Sequence, residues 1–537
     1  MSSIEWRAGA GRTVQSHLVT HISAFCQHHA GAITTARRIG VPALALTSLW
    51  LLLLGVTIWH WTGYHLSPLT AGWRQWDRAN RWNMPGGTPH GPLPPHAQPA
   101  ILLVLGVIFV AATAAHLWAV LSARRVRHAG PGALWFILGA TALMGGIILL
   151  LPILFSDDIF SYIMYGRIGA LYHANPMLVT PAHFPHDPLL RYVYWRTTPS
   201  VYGATWLWPA AAITRLAQAL GGSLPVYIAL YKVMALACHL ANAALIWGIL
   251  ARLAPRRRVL GTVLYAWNPL AVIEFAGSGH NDALMLTYLL IGIWLAVRHH
   301  EALAAIAWAA AIMTKFILLI LVPLWLWHVV LTRWRHAETH DLRLGLRCAW
   351  EAAWRGGVLA LGIVAFMVPY WGGPHLITVL LHSPPTQRID NSLLDMLVRF
   401  VPWPLSALLH QSRFVLRKEY LPLGKEIGIV AFALAWLWAL CQRVPRDLLA
   451  ACAWALASYI VLASAWFWPW YVTWPLAFVA LRPLGRQTLS VLLLAGGVLA
   501  IYAFLPDRAS LAFGLRALFA FGPALTYLGM ARSAQVR

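Results

Sequence analysis

The chain has 537 residues, of which 60% are hydrophobic and only 11% are charged. Soluble globular domains carry about 25% charged residues, so an ordinary soluble protein is excluded. The net charge of +23 does not point to nucleic acid, because the arginines fall in short clusters between apolar runs, as topology-setting charges do.

Apolar runs of roughly 17–25 residues, the length of a membrane-spanning helix, recur along the chain. Residues 1–40 contain Arg7, Arg12, Arg37 and Arg38 but no cleavable signal pattern, and read as a retained cytoplasmic tail. A first span covers 41–61. The polar loop 62–99 is Trp-rich and then Pro/Gly-rich, and its second half is expected to be irregular. Spans at 100–122 and 132–155 follow, separated by Arg124, Arg125 and Arg127. The second of these ends at two adjacent carboxylates, Asp157 and Asp158. With the Arg clusters inside, the acidic pair faces the extracytoplasmic side.

The outer segment 156–224 includes an apolar stretch at 206–220 that reads as a re-entrant or surface helix. Spans are then expected at 224–250, 259–276, 281–297, 302–314, 316–331 and 356–371. Arg-rich turns at 252–258, 298 and 333–355 lie inside. A second outer loop covers 372–423. The last spans are 424–441, 448–466, 470–481, 489–505 and 511–530. The fold class is therefore all-α, a polytopic transmembrane bundle of about 12–14 spans with large extracytoplasmic loops. One domain, 41–531, fills a bacterial-type plasma membrane, with both termini cytoplasmic. The 30 Trp and 17 Tyr flank the runs as an interfacial belt. None of the five cysteines falls in an outer segment, so no disulfide framework is implied.

The chain has only 17 acids. Ionised groups near hydrocarbon are costly, and clustered ones suggest a site. Asp157 and Asp158 suit a general base that takes a proton from an attacking hydroxyl. The competing reading is a helix cap, which needs only one Asp. Lys315, between two apolar runs, suits a departing phosphate or a snorkelling anchor. Lys232 and Arg388 are weaker candidates for the same phosphate. Glu274, His280, Asn281 and Asp282 lie in EFAGSGHND, which reads either as a sugar-hydroxyl site or as a polar turn. Trp470 and Tyr471 belong to an aromatic cluster that serves as a membrane belt or as a stacking surface for sugars. His173, His183, His186 and Asp187 fit no tight ligand spacing, and neither a metal nor a cofactor is expected. No P-loop, HExxH or CxxC is present.

Four pieces in order carry a resemblance. They are Ser156-Asp-Asp158-Ile-Phe-Ser-Tyr162 with Gly166 and Asn175-Pro176; Pro199-Ser-Val-Tyr202-Gly203; Gly279-His280-Asn281-Asp282 followed by Lys315; and Asn391-Ser392-Leu393 with Trp470-Tyr471. The ordered set, over roughly residues 130–480, resembles the GT-C superfamily of polytopic glycosyltransferases. Within it the chain is most similar to bacterial polyprenyl-phosphate-mannose-dependent α-mannosyltransferases. Ala204 departs from the family, which usually has Pro after Tyr-Gly.

The resemblance implies a base at Asp158 and a role for Tyr202 beside the substrate. It also implies an inverting single displacement on a polyprenyl-phosphate sugar, with a glycan or glycolipid as acceptor. Mannose is implied by the resemblance alone. The alternative is a transporter or flippase of a lipid-linked sugar or small anion.

Overall fold

A computed structural model describes residues 37–57, 98–151, 155–338, 340–381, 389–400, 413–503 and 511–533, with single positions between 406 and 410. Most of the loop 62–99 lies outside the described residues, and so does Arg388.

The protein is an all-α polytopic bundle. Helices α1 (Arg37–Thr57), α2 (Gln98–Ala123) and α3 (Pro131–Leu149) are long and apolar. Two shorter helices, α4 (Asp158–Ala170) and α5 (Ala204–Ala219), precede the long α6 (Leu224–Leu253). Then come α7 (Arg258–Ala266), α8 (Asp282–Ala296), α9 (Glu301–Ile312), α10 (Val322–Arg335) and α11 (Leu342–Met367). The chain continues through α12 (Leu393–Phe400), α13 (Arg413–Trp438), α14 (Leu448–Ser458) and α15 (Thr473–Ala480). It ends with α16 (Arg486–Gly497), α17 (Leu511–Ala520) and α18 (Gly522–Ser533). Among the described residues there is no strand, only isolated bridges from Asp390 and Asn391 to Trp466.

Among the described residues, eight helices are long and apolar enough to cross a membrane, or nine if one bent pair counts as a span. With the bent pair counted, three shorter apolar helices, Asp282–Ala296, Glu301–Ile312 and Leu448–Ala463, bring the number to the lower end of the expected range. Two boundaries differ from expectation. The Arg-bearing stretch 342–355, expected as part of a turn, is the first half of α11. Helix α13 begins at Arg413, inside the expected loop 372–423.

Two apolar clusters hold the bundle. The larger joins the inner faces of α2, α3, α7, α8, α14, α15 and α16. The smaller joins α4 and α5 to the first turns of α6 through Tyr162, Ile163, Trp206, Tyr227 and Tyr231. Gly166 permits the close approach of α4 to α5, since a Cβ there would meet the Ala210 carbonyl oxygen at 2.5 Å. A buried ion pair ties down the rest of the segment. Arg167 donates to Asp187 at 2.8 Å and to the Tyr227 hydroxyl at 2.9 Å. Asp187 also accepts from Tyr172 and from the Leu189 backbone N–H.

One break matters most for the site. The stretch 259–276, expected as a single span, bends by 54° between Pro255–Ala266 and Pro269–Gly277. Pro269 has no N–H to continue the helix. The Asn268 side chain accepts from Leu270 and Ala271 N–H and restarts it. A π turn, Ile273–Gly277, follows, and Gly279 has φ +72°. Residues 269–286 are all buried in protein, the condition under which irregular backbone is tolerated at membrane depth. The break delivers Glu274 and His280–Asp282 to one place.

Candidate active site

Asp158 is the first residue of α4, and Asp157 occupies the cap position without making a side-chain cap bond. The capping explanation for the acidic pair therefore has no hydrogen bond behind it. Asp158 Oδ2 accepts a long hydrogen bond, 3.5 Å, from the Tyr202 hydroxyl, and the Trp195 side chain also hydrogen-bonds to it. Burial pushes the Asp158 carboxyl up to about 6, against the pull of the Lys315 ammonium and these two donors, with the Asp282 charge adding to the rise. Asp158, Ser161, Tyr165, Trp195, Thr198, Val201 and Tyr202 line a small cavity of about 50 Å³.

Lys315 follows α9 and stands beside this carboxylate. Its ammonium donates to Asp282 Oδ2 at 2.6 Å, while the Trp474 indole N–H donates to Asp282 Oδ1 at 2.6 Å. Asp282 is fully buried and the Lys315 side chain is 13% exposed, so what exposure the pair has lies on the ammonium. The rings of Tyr202, Tyr471 and Trp474 surround the ammonium at 5.6, 5.7 and 5.7 Å, within cation–π range. Tyr202 thus touches both the carboxylate and the cation.

Gly203 fixes that bridge. A Cβ at Gly203 would lie 2.2 Å from the Met313 carbonyl oxygen, two residues before Lys315. The obstruction is backbone, so a side chain must push the two segments apart. Gly203→Ala should lower stability by about 1–3 kcal/mol and reduce turnover by moving Tyr202 off Asp158. Thermal unfolding and initial rates on one preparation check this. Gly203 is also the cap residue of α5, which puts Ala204 at the first helical position. Proline is favoured there, but a good helix former serves equally well. The departure at Ala204 is thereby accommodated.

A second set of groups backs the first. The His280 ring stacks on Trp470 with centroids 3.9 Å apart. Its Nδ1 lies 3.3 Å from the Tyr162 hydroxyl, which also donates to Asn281 Oδ1 at 3.3 Å. Its Nε2 is 3.4 Å from Glu274 Oε2, and Tyr502 donates to Glu274 Oε1 at 2.6 Å. Glu274 has no exposed surface; its carboxylate touches His280 and Tyr502 rather than open space. The structure therefore brings Asp158, Tyr202, Lys315, Asp282, His280, Asn281, Trp470 and Tyr471 together and sets Glu274 behind them.

Of the other two expected phosphate ligands, one is engaged elsewhere. Lys232, on α6, is buried and donates to the carbonyl oxygens of Leu149 at 3.3 Å and Leu151 at 2.6 Å. It serves the open carbonyls at the end of α3, which need a donor. Arg388 is outside the described residues. Its neighbours are tethered to the site: Asp390 N–H donates to Ala465 O and Phe467 N–H to Asp390 O. Arg516 donates to Asn391 Oδ1 at 2.6 Å. These bonds hold Trp466 at 5.7 Å from Trp195, the partner of Asp158. Among the described residues no group of three His, Cys, Asp or Glu is arranged to hold a metal.

Sequence reasoning missed Trp474, Trp195 and Tyr502. Trp474 lies only three residues after Tyr471, on which its ring stacks, so the aromatic cluster itself pointed towards it. Trp195 and Tyr502 carry no comparable local signal.

A family model described as "Alpha-(1->6)-mannopyranosyltransferase, N-terminal domain" matches residues 66–331. Alpha-(1->6)-mannopyranosyltransferase A of Mycobacterium tuberculosis is 27% identical over 368 residues, which cover 65% of this chain and 66% of the relative. Alpha-(1->6)-mannopyranosyltransferase A of Corynebacterium glutamicum is 24% identical over 184 residues, 32% of this chain and 34% of the relative. Alpha-(1->6)-mannopyranosyltransferase B of Corynebacterium glutamicum is 31% identical over 175 residues, 30% of this chain and 27% of the relative. The chain thus spans just under two thirds of the first of these relatives and about a third or less of the other two. No solved structure matches. The matches bear out the resemblance read from the motifs and support an enzyme of the glycosyltransferase class.

Proposed function

We propose that this relative of the α-(1→6)-mannopyranosyltransferases transfers a sugar, mannose by that kinship, from a polyprenyl phosphate to a glycan or glycolipid hydroxyl. The observation that carries the reading is one carboxylate and one ammonium held together by Tyr202: Asp158 at 3.5 Å from its hydroxyl and Lys315 over its ring. Asp158 takes the proton of the acceptor hydroxyl as the oxygen attacks the anomeric carbon. The bond from that carbon to the phosphate oxygen breaks, and its electron pair leaves with the polyprenyl phosphate. The Lys315 ammonium, held in place by Asp282, balances the charge that develops on the phosphate. A single base and a single displacement suffice, so the configuration at the anomeric carbon inverts. An α product then requires a β-linked donor.

In this reading His280, Asn281, Trp470 and Tyr471 bind sugar or acceptor, and Glu274 acts through His280 by fixing its ring. The active site faces the extracytoplasmic side and both termini are cytoplasmic, in line with the Arg clusters. The relatives do not favour the transporter alternative.

Glu274→Gln tests the supporting role. It keeps the Tyr502 bond but weakens the contact with His280 Nε2. A rise in acceptor KM with the donor KM unchanged is expected, and unchanged values for both would detach Glu274 from the site. The function itself is tested by transfer from a panel of α- and β-linked polyprenyl-phosphate sugars in proteoliposomes. An α-linked product from a β-linked donor is expected. Product only from an α-linked donor, or from a nucleotide sugar, would overturn the reading.

A further inference from the structure

A second cavity lies at the far end of the helices that carry the site. Helix α8 starts at Asp282 and ends at Ala296, and α9 returns from Glu301 towards Lys315. The 15 residues of α8 span about 22 Å at 1.5 Å per residue. Helix α15 makes the same passage from Trp474, which binds Asp282, to Phe478 at the cavity wall. The cavity is about 700 Å³, within the range of small-molecule sites.

Its interior is apolar: Trp308, Trp325, Val329, Leu448 and Phe478 line it. Its rim is charged with both signs. Arg355 pairs with Glu351 at 2.5 Å and with Glu301 at 3.4 Å, and Arg333 pairs with Glu351 from a side chain that is 59% exposed. An apolar chamber of this volume takes a hydrocarbon chain. A rim holding Arg333 and Arg355 beside three carboxylates, Glu301, Glu351 and Asp447, complements a head group carrying a phosphate and an amine, the phosphate on the guanidinium and the ammonium on the carboxylates. A purely anionic head group would draw on the arginines and leave the more numerous carboxylates short of a cation.

We propose that this cavity is a binding site for one amine-bearing phospholipid, with an acyl chain between α8, α10 and α14 and its head group on Arg333, Glu351 and Glu301. The site is separate from the transfer chemistry, so the proposal does not depend on the donor or the base.

The test uses the full chain in vesicles of phosphatidylglycerol with a trace of phosphatidylethanolamine carrying a photoactivatable acyl chain, with labelled peptides mapped by mass spectrometry. Label concentrated on α8, α10 and α14 is expected. It should fall at least fivefold in Val329→Trp, which fills the chamber, and several-fold in Arg333→Ala, an exposed rim change that leaves the core intact. If Val329→Trp does not fold, Arg333→Ala and competition by unlabelled phosphatidylethanolamine decide. Label spread evenly over lipid-facing helices, or unchanged in Arg333→Ala, would overturn the proposal by reducing the signal to bulk lipid. Equal labelling by a phosphatidylglycerol probe would overturn the assignment of the amine.

Discussion

Asp158→Asn should lower the transfer rate by roughly 10²–10⁴-fold, the usual contribution of a positioned general base, while the protein remains folded. The asparagine preserves shape and still accepts from Tyr202, but it cannot take a proton. Stability should not fall. Burial raises the Asp158 carboxyl to about 6, so the folded state holds the proton more tightly than the unfolded chain. The ionised form therefore costs stability above that pH, and the neutral asparagine removes the cost. The variant should melt no lower than the wild type at pH 7. Asp157→Asn is the control: the base is assigned to Asp158, which Tyr202 contacts, so this change should leave most of the activity. A fully active Asp158→Asn enzyme would remove the base from this position.

Lys315→Ala should do two things at once. It leaves the fully buried Asp282 carboxylate with the Trp474 indole but no cation. Breaking a buried pair from one side costs about 3–5 kcal/mol, which a thermal unfolding curve reads directly. It also removes the charge proposed to face the donor phosphate. A charged hydrogen bond of that kind contributes about 1.5–3 kcal/mol, so the donor KM should rise roughly 10- to 100-fold. The double variant Lys315→Ala/Asp282→Asn separates the two effects. Its neutral side chain still accepts from Trp474, so most of the stability should return while donor use stays impaired. Recovery of both would reduce Lys315 to a structural partner of Asp282. An unchanged melting temperature in the single variant would contradict the buried pair.

The all-helical bundle, and the nearness of Asp158, Lys315, Asp282 and the Trp470–Tyr471 pair, were readable from the chain because long apolar runs leave few places for charge. With so few acids, an Asp beside an apolar run stands out, and a Lys between two runs stands out for the same reason. What the sequence does not carry is the consequence of a break. Asn268-Pro269 bends the chain by 54°, and only that bend puts Glu274 behind His280. Lys232 shows a second limit. A lysine near a helix end reads as a ligand, yet here the open carbonyls of α3 take its ammonium, and no local pattern announces which helix end will be near. Trp474 was hidden among 30 tryptophans, and its partner Asp282 is 192 residues away. Residues 342–355 read as a turn because they are rich in Arg. They lie along a helix instead, where Arg355 pairs with Glu351 one turn away.

The pH dependence of kcat/KM in proteoliposomes, wild type beside Tyr202→Phe and Asp158→Asn, tests the base most directly. A base must be deprotonated to act, so the wild-type rate should fall as the pH drops through about 6, where burial places the Asp158 carboxyl. Tyr202 donates to the ionised form and holds that value down, so Tyr202→Phe should move the limb to higher pH. The residual rate of Asp158→Asn should lack the limb. The same acid limb in Asp158→Asn, or a wild-type profile flat from pH 5 to pH 8, would contradict the account.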